Sequence, residues 1–289
     1  ALREALLDCC TYDWSDISPV IFGSLFQAVM NSDERRSLGA HFTSERNILR
    51  VVRPLFLDKL QKDFDEIKSS KKALETFRKQ INSLTFLDPA CGCGNFLVVI
   101  YRELRLLDIE IIRKKYQGIG ITDSSVLSNV PLHNFYGYEI DPTSAMIAEV
   151  AMWLTQHQMN MRLEAEFGKA VPTIPLHEAA IILNKNSLDI PWEARTKFKR
   201  GKGDEIIVFD YIVGNPPFIG KQQKKDDQKR DIDKILNKIN GAGVLDYVAC
   251  WYIKAAQYMK KYPTTKTALV STNSIAQGEQ TSILWNELF

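Results

Sequence analysis

The amino-acid sequence predicts an α/β protein with a doubly wound, mostly parallel sheet, preceded by a helical subdomain. Two patterns support this fold class. After Ser83, short apolar segments of strand length alternate with longer segments in which apolar residues recur at helical spacing, and this alternation is typical of parallel sheets covered by helices on both faces. Before that point, the sequence shows helical spacing alone. We therefore expect a helical subdomain over residues 1–82 and an α/β domain over residues 83–289.

The predicted elements follow one another along the chain. In the helical subdomain, apolar spacing indicates helices at Val20–Val29 and Ile48–Phe56, and the charged stretch Lys59–Ile81 is typical of a solvated surface helix. Strands are predicted at Leu84–Leu87, Phe135–Tyr138, Ala180–Leu183, Ile206–Val213 and Thr267–Ser271. Helices between them are predicted at Asn95–Lys115, Thr143–Met161 and Val244–Lys261. Two insertions, 116–131 and 195–205, interrupt the alternation.

The gross composition excludes several classes of protein. With 45% hydrophobic and 25% charged residues, the chain has the ordinary composition of a soluble globular protein. No apolar run reaches the roughly 20 residues of a membrane-spanning helix and no signal peptide opens the chain, so we expect a cytoplasmic protein. The five cysteines lack the paired spacing of a zinc site or a disulfide framework; we therefore expect reduced thiols and no metal.

The first chemical signal is the segment Phe86–Leu97, FLDPACGCGNFL, in which a strand enters a glycine-rich turn that opens a helix. Such a turn lets a ligand lie against bare backbone amides. A dinucleotide site is disfavoured, because Leu97 stands where the third glycine of G-x-G-x-x-G is expected. The next acidic strand end, Glu139, also comes much later than the roughly 20 residues after the loop at which such a site carries its acid.

Two acidic residues close the first two predicted strands. Asp88 would repel a phosphate but suits a cationic ligand, such as the ammonium group of methionine. Glu139 can accept hydrogen bonds from both hydroxyls of a ribose, and Ile140 would then flank an adenine ring. Asp141 is a candidate cap for the helix that starts near Thr143. Together these residues favour a ligand with both an amino-acid part and a nucleoside part.

The most specific element is Ile212–Phe218, IVGNPPF, at the end of the fourth predicted strand. Consecutive prolines fix the backbone and remove two N–H donors, so the loop presents acceptors, led by the Asn215 side chain and the Pro216 carbonyl. Two acceptors on the hydrogens of a planar aromatic amine stabilise the positive charge that develops on its nitrogen. Phe218 offers a face for a base extruded from a duplex. The alternative is a tight loop with Phe218 in the core.

In this order, the motifs Asp88–Gly94, Glu139 and Asn215–Phe218 resemble the gamma class of N6-adenine DNA methyltransferases. Phe42–Thr43 is similar to the amino-terminal cofactor motif of that class, with Ser44 in place of the more usual proline. The resemblance implies a Rossmann-like class I fold that uses S-adenosylmethionine.

Two later segments, Gly241–Tyr247 and Ser271–Gln280, are similar in particular to MmeI-like proteins, which are large bacterial restriction-modification enzymes. This resemblance implies an adenine-specific DNA methyltransferase of the bacterial cytoplasm that acts on a flipped adenine in double-stranded DNA. It also implies a nuclease domain before this chain and a target-recognition domain after it. We therefore expect the chain to be a piece of a larger protein that lacks the last strands of its sheet.

The same resemblance assigns the site residues. The cofactor-binding residues are then Phe42, Thr43, Asp88, Pro89, Ala90, Gly92, Gly94, Phe96, Glu139, Ile140, Asn186 and Ser187, and the catalytic residues are Asn215, Pro216, Pro217 and Phe218. At Asn186–Ser187, many family members carry Asp-Phe against the cofactor's adenine. The Asn186 amide can still donate to a ring nitrogen and accept from the exocyclic amine.

Other interpretations of the same residues remain open. Asn-Pro-Pro-aromatic loops also occur in methyltransferases for RNA bases and for protein glutamine, and a non-catalytic binding module could keep the fold. The lysine-rich stretch Lys221–Lys238 could contact DNA phosphates, but its four aspartates favour a solvated helix.

Overall fold

The computed structural model describes residues 3–4, 7–8, 17, 19–21, 43–117, 130–168, 179–196, 205–220 and 224–289. Phe42 and most of the predicted helix Val20–Val29 lie outside the described residues. The first three residues of the lysine-rich stretch do so as well.

Seven strands form two sheets in the described residues. They are β1 (Phe86–Asp88), β2 (Phe135–Glu139), β3 (Ile181–Asn184), β4 (Ala194–Thr196), β5 (Glu205–Ile207), β6 (Tyr211–Gly214) and β7 (Lys266–Leu269). The main sheet is parallel with the order β3-β2-β1-β6-β7, and β4 and β5 form a separate antiparallel pair. Four of the five predicted strands are confirmed with small shifts of their bounds.

The fourth predicted strand, Ile206–Val213, is wrong as a single element, because the chain turns between β5 and β6. Asp210 explains the break. Its Oδ2 accepts hydrogen bonds from the Thr85 amide at 2.8 Å and the Thr85 hydroxyl at 2.9 Å, and the Phe209 amide donates to the Tyr258 hydroxyl at 3.0 Å. These bonds hold residues 208–210 out of the extended conformation and start β6 beside β1.

The strand order places a ligand site between β1 and β6. From β1 the chain moves outward through β2 to β3, then returns to the other side of β1 to form β6 and β7. At such a reversal, the connections after the two central strands diverge and leave a crevice at their carboxyl ends. Asp88 ends β1 and Gly214 ends β6, so the two motifs singled out in the sequence meet there.

Helices cover both faces of the sheet. They are α1 (Glu45–Val52), α2 (Asp58–Ile67), α3 (Lys71–Ser83), α4 (Asn95–Lys115), α5 (Pro142–Phe167), α6 (Asp226–Leu236), α7 (Ala249–Lys261) and α8 (Glu279–Leu288), and a π-helical segment, Arg53–Leu57, joins α1 to α2. The helix predicted at Asn95–Lys115 is confirmed with its bounds, whereas α5 extends past the predicted Met161 and α7 begins after the predicted Val244. In the described parts of the chain, no helix has the length and apolar character needed to cross a membrane.

The predicted single surface helix Lys59–Ile81 is also corrected, because it consists of α2 and α3 with a break at Ser70. The Ser70 hydroxyl accepts from the Ala73 amide at 3.3 Å and caps α3. Neither helix is simply solvated, since Phe64 on α2 and Leu74 on α3 are buried in the core.

Two apolar clusters lie on opposite faces of the sheet. Successive strand residues point to opposite faces, so Phe86 and Phe135 join the cluster under α4 and α5, whereas Leu87 and Tyr136 join the cluster under α6 to α8. The Phe86 and Phe135 rings stack with their centroids 5.0 Å apart. The sheet is therefore the middle layer of a three-layer structure.

The helices before β1 share the first of these clusters. Ile48 and Val52 on α1 are fully buried in it. A bidentate ion pair adds to this packing, with Arg102 on α4 donating to the two carboxylate oxygens of Glu45 at 2.7 and 2.9 Å. As a result, Thr43, just before α1, is held at the carboxyl edge of the sheet.

Candidate active site

A cavity of about 630 Å³ opens at the carboxyl edge of the sheet. The loops after β1, β2, β3 and β6 surround it, and α6 and α7 complete its wall. The predicted site residues that line it are Thr43, Asp88, Pro89, Ala90, Gly92, Phe96, Glu139, Ile140, Asn186, Ser187, Asn215 and Pro217. Among the described residues, Gly94, Pro216 and Phe218 are predicted site residues that do not line it.

The loop after β1 takes its shape from two glycines. Gly92 and Gly94 adopt φ values of +54° and +82°, in the left-handed region that favours glycine. A side chain at Gly94 would also crowd α5, because a Cβ there would lie 3.1 Å from the Cβ of Ala148. Gly94 therefore contributes by letting α4 pack closely on α5, and Gly92 exposes backbone to the cavity.

Asp88 lies at the centre of the site. It is 1% exposed, and its Oδ1 accepts from the Ala90 amide at 3.0 Å. Burial raises the pKa of its carboxyl to about 8, against the opposing effect of the Ala90 amide, and the charge of Glu139 raises the pKa further. Gly214 makes room for this carboxylate, because a Cβ at Gly214 would overlap Asp88 Oδ1. The glycine before Asn215 is thus required by the acid at the end of the neighbouring strand.

Glu139 is anchored by both of its carboxylate oxygens. Oε2 accepts from the Gly92 amide at 2.8 Å and Oε1 accepts from the Asp141 amide at 2.8 Å. Burial raises the pKa of Glu139, while these amides lower it. The Ile140 amide also donates to this carboxylate. Since a carboxylate offers about four acceptor positions, about one remains for a ligand. The Asp141 side chain accepts from the Ser144 amide at 2.7 Å, which confirms the predicted helix cap.

Asn215 presents an unused acceptor beside this acid. Its Nδ2 donates to the Thr43 hydroxyl at 2.9 Å, and its Oδ1 is buried without a hydrogen-bond partner among the described residues. An unpaired buried acceptor of this kind is costly and points to a missing donor. The Thr43 contact holds the Asn215 amide in place at the edge of the cavity. The residues present therefore fit a ligand that brings an N–H group to Asn215.

Phe218 and the end of β3 differ in part from the arrangement that the sequence suggests. Phe218 is half-buried and packs against the apolar cluster under α6 to α8. The Asn186 amide is already engaged, since its Oδ1 accepts from the Leu188 amide at 3.0 Å and its Nδ2 faces Asp231. Ser187 is buried and its hydroxyl accepts from Trp251 Nε1 at 3.1 Å.

Several cavity-lining residues were missed in the sequence. They are Asp231 on α6, Tyr247 just before α7 and Trp251 on α7. These residues form the part of the cavity wall that lies near the two helices. The similarity of the Gly241–Tyr247 motif to MmeI-like proteins was the available signal for Tyr247. Asn95, the residue directly after Gly94, also lines the cavity, and its Oδ1 is buried without a partner among the described residues.

Comparisons with known proteins identify the family of this chain. The family model described as the MmeI DNA-methyltransferase domain matches residues 64–289. "DNA methyltransferase A" of Bacillus subtilis (strain 168) is 39% identical over 289 residues, which is 99% of this chain and 32% of the relative. The structure of the Type IIL restriction-modification enzyme MmeI in complex with DNA superimposes with a TM-score of 0.90 at 49% identity, and covers 99% of this chain and 37% of that one.

A more distant structure has the same fold. The "DrdV-DNA complex" shares the fold, with a TM-score of 0.50 at 15% identity over 93% of this chain and 24% of that one. This chain spans only about a third of the length of the relatives it matches most extensively. The predicted α/β methyltransferase fold and the predicted family are both confirmed. The chain belongs to the family of MmeI-type DNA-methyltransferase domains.

Proposed function

We propose that this chain transfers a methyl group from S-adenosylmethionine to the exocyclic N6 of adenine in double-stranded DNA. It does so as the catalytic part of a longer restriction-modification enzyme. The observation that carries the proposal is the buried, unpartnered Oδ1 of Asn215, held by Thr43 at the end of β6 and next to Asp88. The family membership and a relative solved with DNA support the choice of substrate.

The residues around the glycine turn are suited to the cofactor. When bound, this cofactor supplies a methyl group carried on a sulfonium sulfur. Asp88 binds its ammonium group, and the amides of the turn around Gly92 approach its amino-acid part. Glu139 accepts from the ribose hydroxyls through the acceptor position that its backbone amide donors leave free. Ile140, which is 58% exposed and lines the cavity, offers an apolar surface to the adenine.

The β6 loop is suited to the target base. Asn215 Oδ1 and the Pro216 carbonyl accept the two hydrogens of the adenine amine, and their dipoles stabilise the positive charge that develops on nitrogen during transfer. Thr43 keeps the Asn215 amide from rotating. Because the target amine is paired inside a duplex, the base must be extruded to reach this loop. Phe218 borders the loop and stacks on the base once the base enters.

The rest of the proposed protein follows from this assignment. The helices before Ser83 and the α/β part after it act as one catalytic unit, since Thr43 belongs to the first and Asn215 to the second. A nuclease domain and a target-recognition domain are expected in the complete enzyme. We expect that enzyme to act in the bacterial cytoplasm, because that is where the DNA of a bacterial cell lies.

The test is to identify the methylated atom. The complete enzyme is incubated with isotopically labelled S-adenosylmethionine and, in separate reactions, with duplex DNA, RNA or protein, and the digested nucleosides and peptides are analysed by mass spectrometry. We expect the label in N6-methyldeoxyadenosine. Asn215→Ala should lose most of this label. Asn134→Ala is its matched control, because the Asn134 amide also donates to one partner, the Asn82 carbonyl, at 2.9 Å, but lies away from the cavity. Label in cytosine, in RNA alone or in protein glutamine would reject the proposal in favour of those substrates.

A further inference from the structure

The end of β3 contains a hydrogen-bonded pair that crosses from the sheet to α6. Asn186 Nδ2 lies 3.3 Å from Oδ1 and 3.2 Å from Oδ2 of Asp231. We infer that Asp231 recognises the exocyclic amine of the cofactor's adenine. It would thereby select a cofactor that carries adenine over one whose base lacks this amine. This inference rests on the proposed function, because it refines the cofactor site that the proposal describes.

Asn186 is a weaker acceptor for this amine than a carboxylate, because its amide oxygen carries no charge. Its Oδ1 already accepts from the Leu188 amide at 3.0 Å, and its Nδ2 is a donor. An exocyclic amine is itself a donor and needs an acceptor. Asn186 provides no carboxylate at the end of β3. Asp231 on α6 provides one instead.

Asp231 has one acceptor position left for such a donor. Its Oδ2 receives the Tyr247 hydroxyl at 2.5 Å in addition to Asn186 Nδ2, whereas Oδ1 receives Asn186 Nδ2 alone. A carboxylate oxygen accepts about two hydrogen bonds, so Oδ1 remains able to accept one more. No ion pair involves Asp231 in the described part of the chain. The nearby Lys234 pairs instead with Asp189, at 2.8 Å.

Asp231 lies beside the position proposed for the cofactor's adenine. Asn184 Nδ2 donates to the carbonyls of Glu139 and Ile140, each at 2.9 Å, and thereby holds the end of β3 against the loop that carries the proposed ribose and adenine contacts. Ile140, Asn186 and Asp231 line the same cavity. The base that lies against Ile140 thus reaches Asp231 with its polar edge.

The experiment compares two ligands that differ only in this amine. Binding of S-adenosylhomocysteine and of its deamino analogue, in which hydrogen replaces the 6-amino group, is measured by calorimetry with the full chain. The wild-type protein should bind S-adenosylhomocysteine about ten to a hundred times more tightly, because the deamino ligand leaves the half-buried Asp231 carboxylate one donor short. In Asp231→Asn, where an amide nitrogen replaces one acceptor oxygen, the preference should fall below about threefold.

Asp227→Asn is the matched control, since Asp227 lies one turn earlier on α6 and lines the same cavity. It should keep the wild-type preference. If Asp231→Asn fails to fold, Asp231→Ser serves in its place and should lose the preference equally. Equal wild-type affinity for the two ligands, or a preference that survives either Asp231 variant, overturns this inference alone. A wild-type protein that binds neither ligand overturns the proposed cofactor and this inference with it.

Discussion

Cofactor binding should be linked to the loss of a proton from Asp88. Burial raises the pKa of this carboxyl to about 8, so in the free protein it is mostly protonated at neutral pH. Its proposed partner is an ammonium group, which binds a carboxylate far better than a neutral acid. Binding therefore requires that the proton leave.

The size of the effect follows from the pKa. At pH 7, a group with a pKa of about 8 is about nine-tenths protonated, so about 0.9 proton should be released for each S-adenosylhomocysteine bound. Well below the pKa, the affinity should fall about tenfold for each pH unit, which amounts to about fiftyfold between pH 8 and pH 6. Glu139 also has a raised pKa, but its proposed partners are neutral hydroxyls.

Calorimetry in buffers of different ionisation enthalpy measures both the affinity and the released proton. Asp88→Asn should bind weakly and show no pH dependence over this range. 5′-Methylthioadenosine provides a matched ligand, because it keeps the nucleoside and lacks the ammonium, and its affinity should not follow the titration of Asp88. A wild-type affinity for S-adenosylhomocysteine that is constant from pH 6 to pH 8 would refute the reasoning.

Three further outcomes are expected. In the complete enzyme, Asn215→Ala should lower the single-turnover methylation rate by about 10²–10³ with little change in cofactor affinity; a rate above about a tenth of wild type would exclude Asn215 as the catalytic acceptor. Because the pKa of Asp88 is higher in the folded state than the ordinary value of 3.8, the folded state binds more protons and loses stability as pH rises from about 4 to about 8. Asp88→Asn should therefore raise the Tm of the ligand-free protein by at least about 4 °C at pH 8, and much less at pH 5, whereas equal gains at both values would contradict this linkage. Gly214→Ala should weaken cofactor binding by about tenfold or more, since its Cβ displaces the Asp88 carboxylate, and unchanged binding by calorimetry would show that the carboxylate has room to move.

Local patterns in the sequence predicted the elements whose structure depends on local contacts. The helix Asn95–Lys115 has its own glycine turn before it and continuous apolar spacing within it, and its bounds were predicted. The break between β5 and β6 was not predicted, because it depends on Asp210 bonding to Thr85, 125 residues earlier in the chain. A run of apolar residues gives no sign of such a partner, so Ile206–Val213 has the pattern of one strand.

The candidate site divides in the same way. The strand-end residues Asp88, Glu139 and Asn215 could be found because the carboxyl ends of parallel strands converge on one edge. Asp231 could not be found, because only folding brings α6 over the end of β3. In the sequence, Asp231 resembles the other charged residues of a solvated helix. The departure at Asn186 was visible in the sequence, but the residue that compensates for it was not.

The contact between Thr43 and Asn215 has a consequence for the order in which the domain becomes competent. The two residues are 172 positions apart in the chain, whereas the cofactor loop is closed by Gly92 and Glu139, which are 47 positions apart. Closing the longer loop costs about 1 kcal/mol more in chain entropy. During folding, the cofactor loop should therefore form before the Asn215 amide is oriented. A partly folded chain would then hold S-adenosylmethionine while it remains unable to align a target amine, so methylation begins only when the whole domain has assembled.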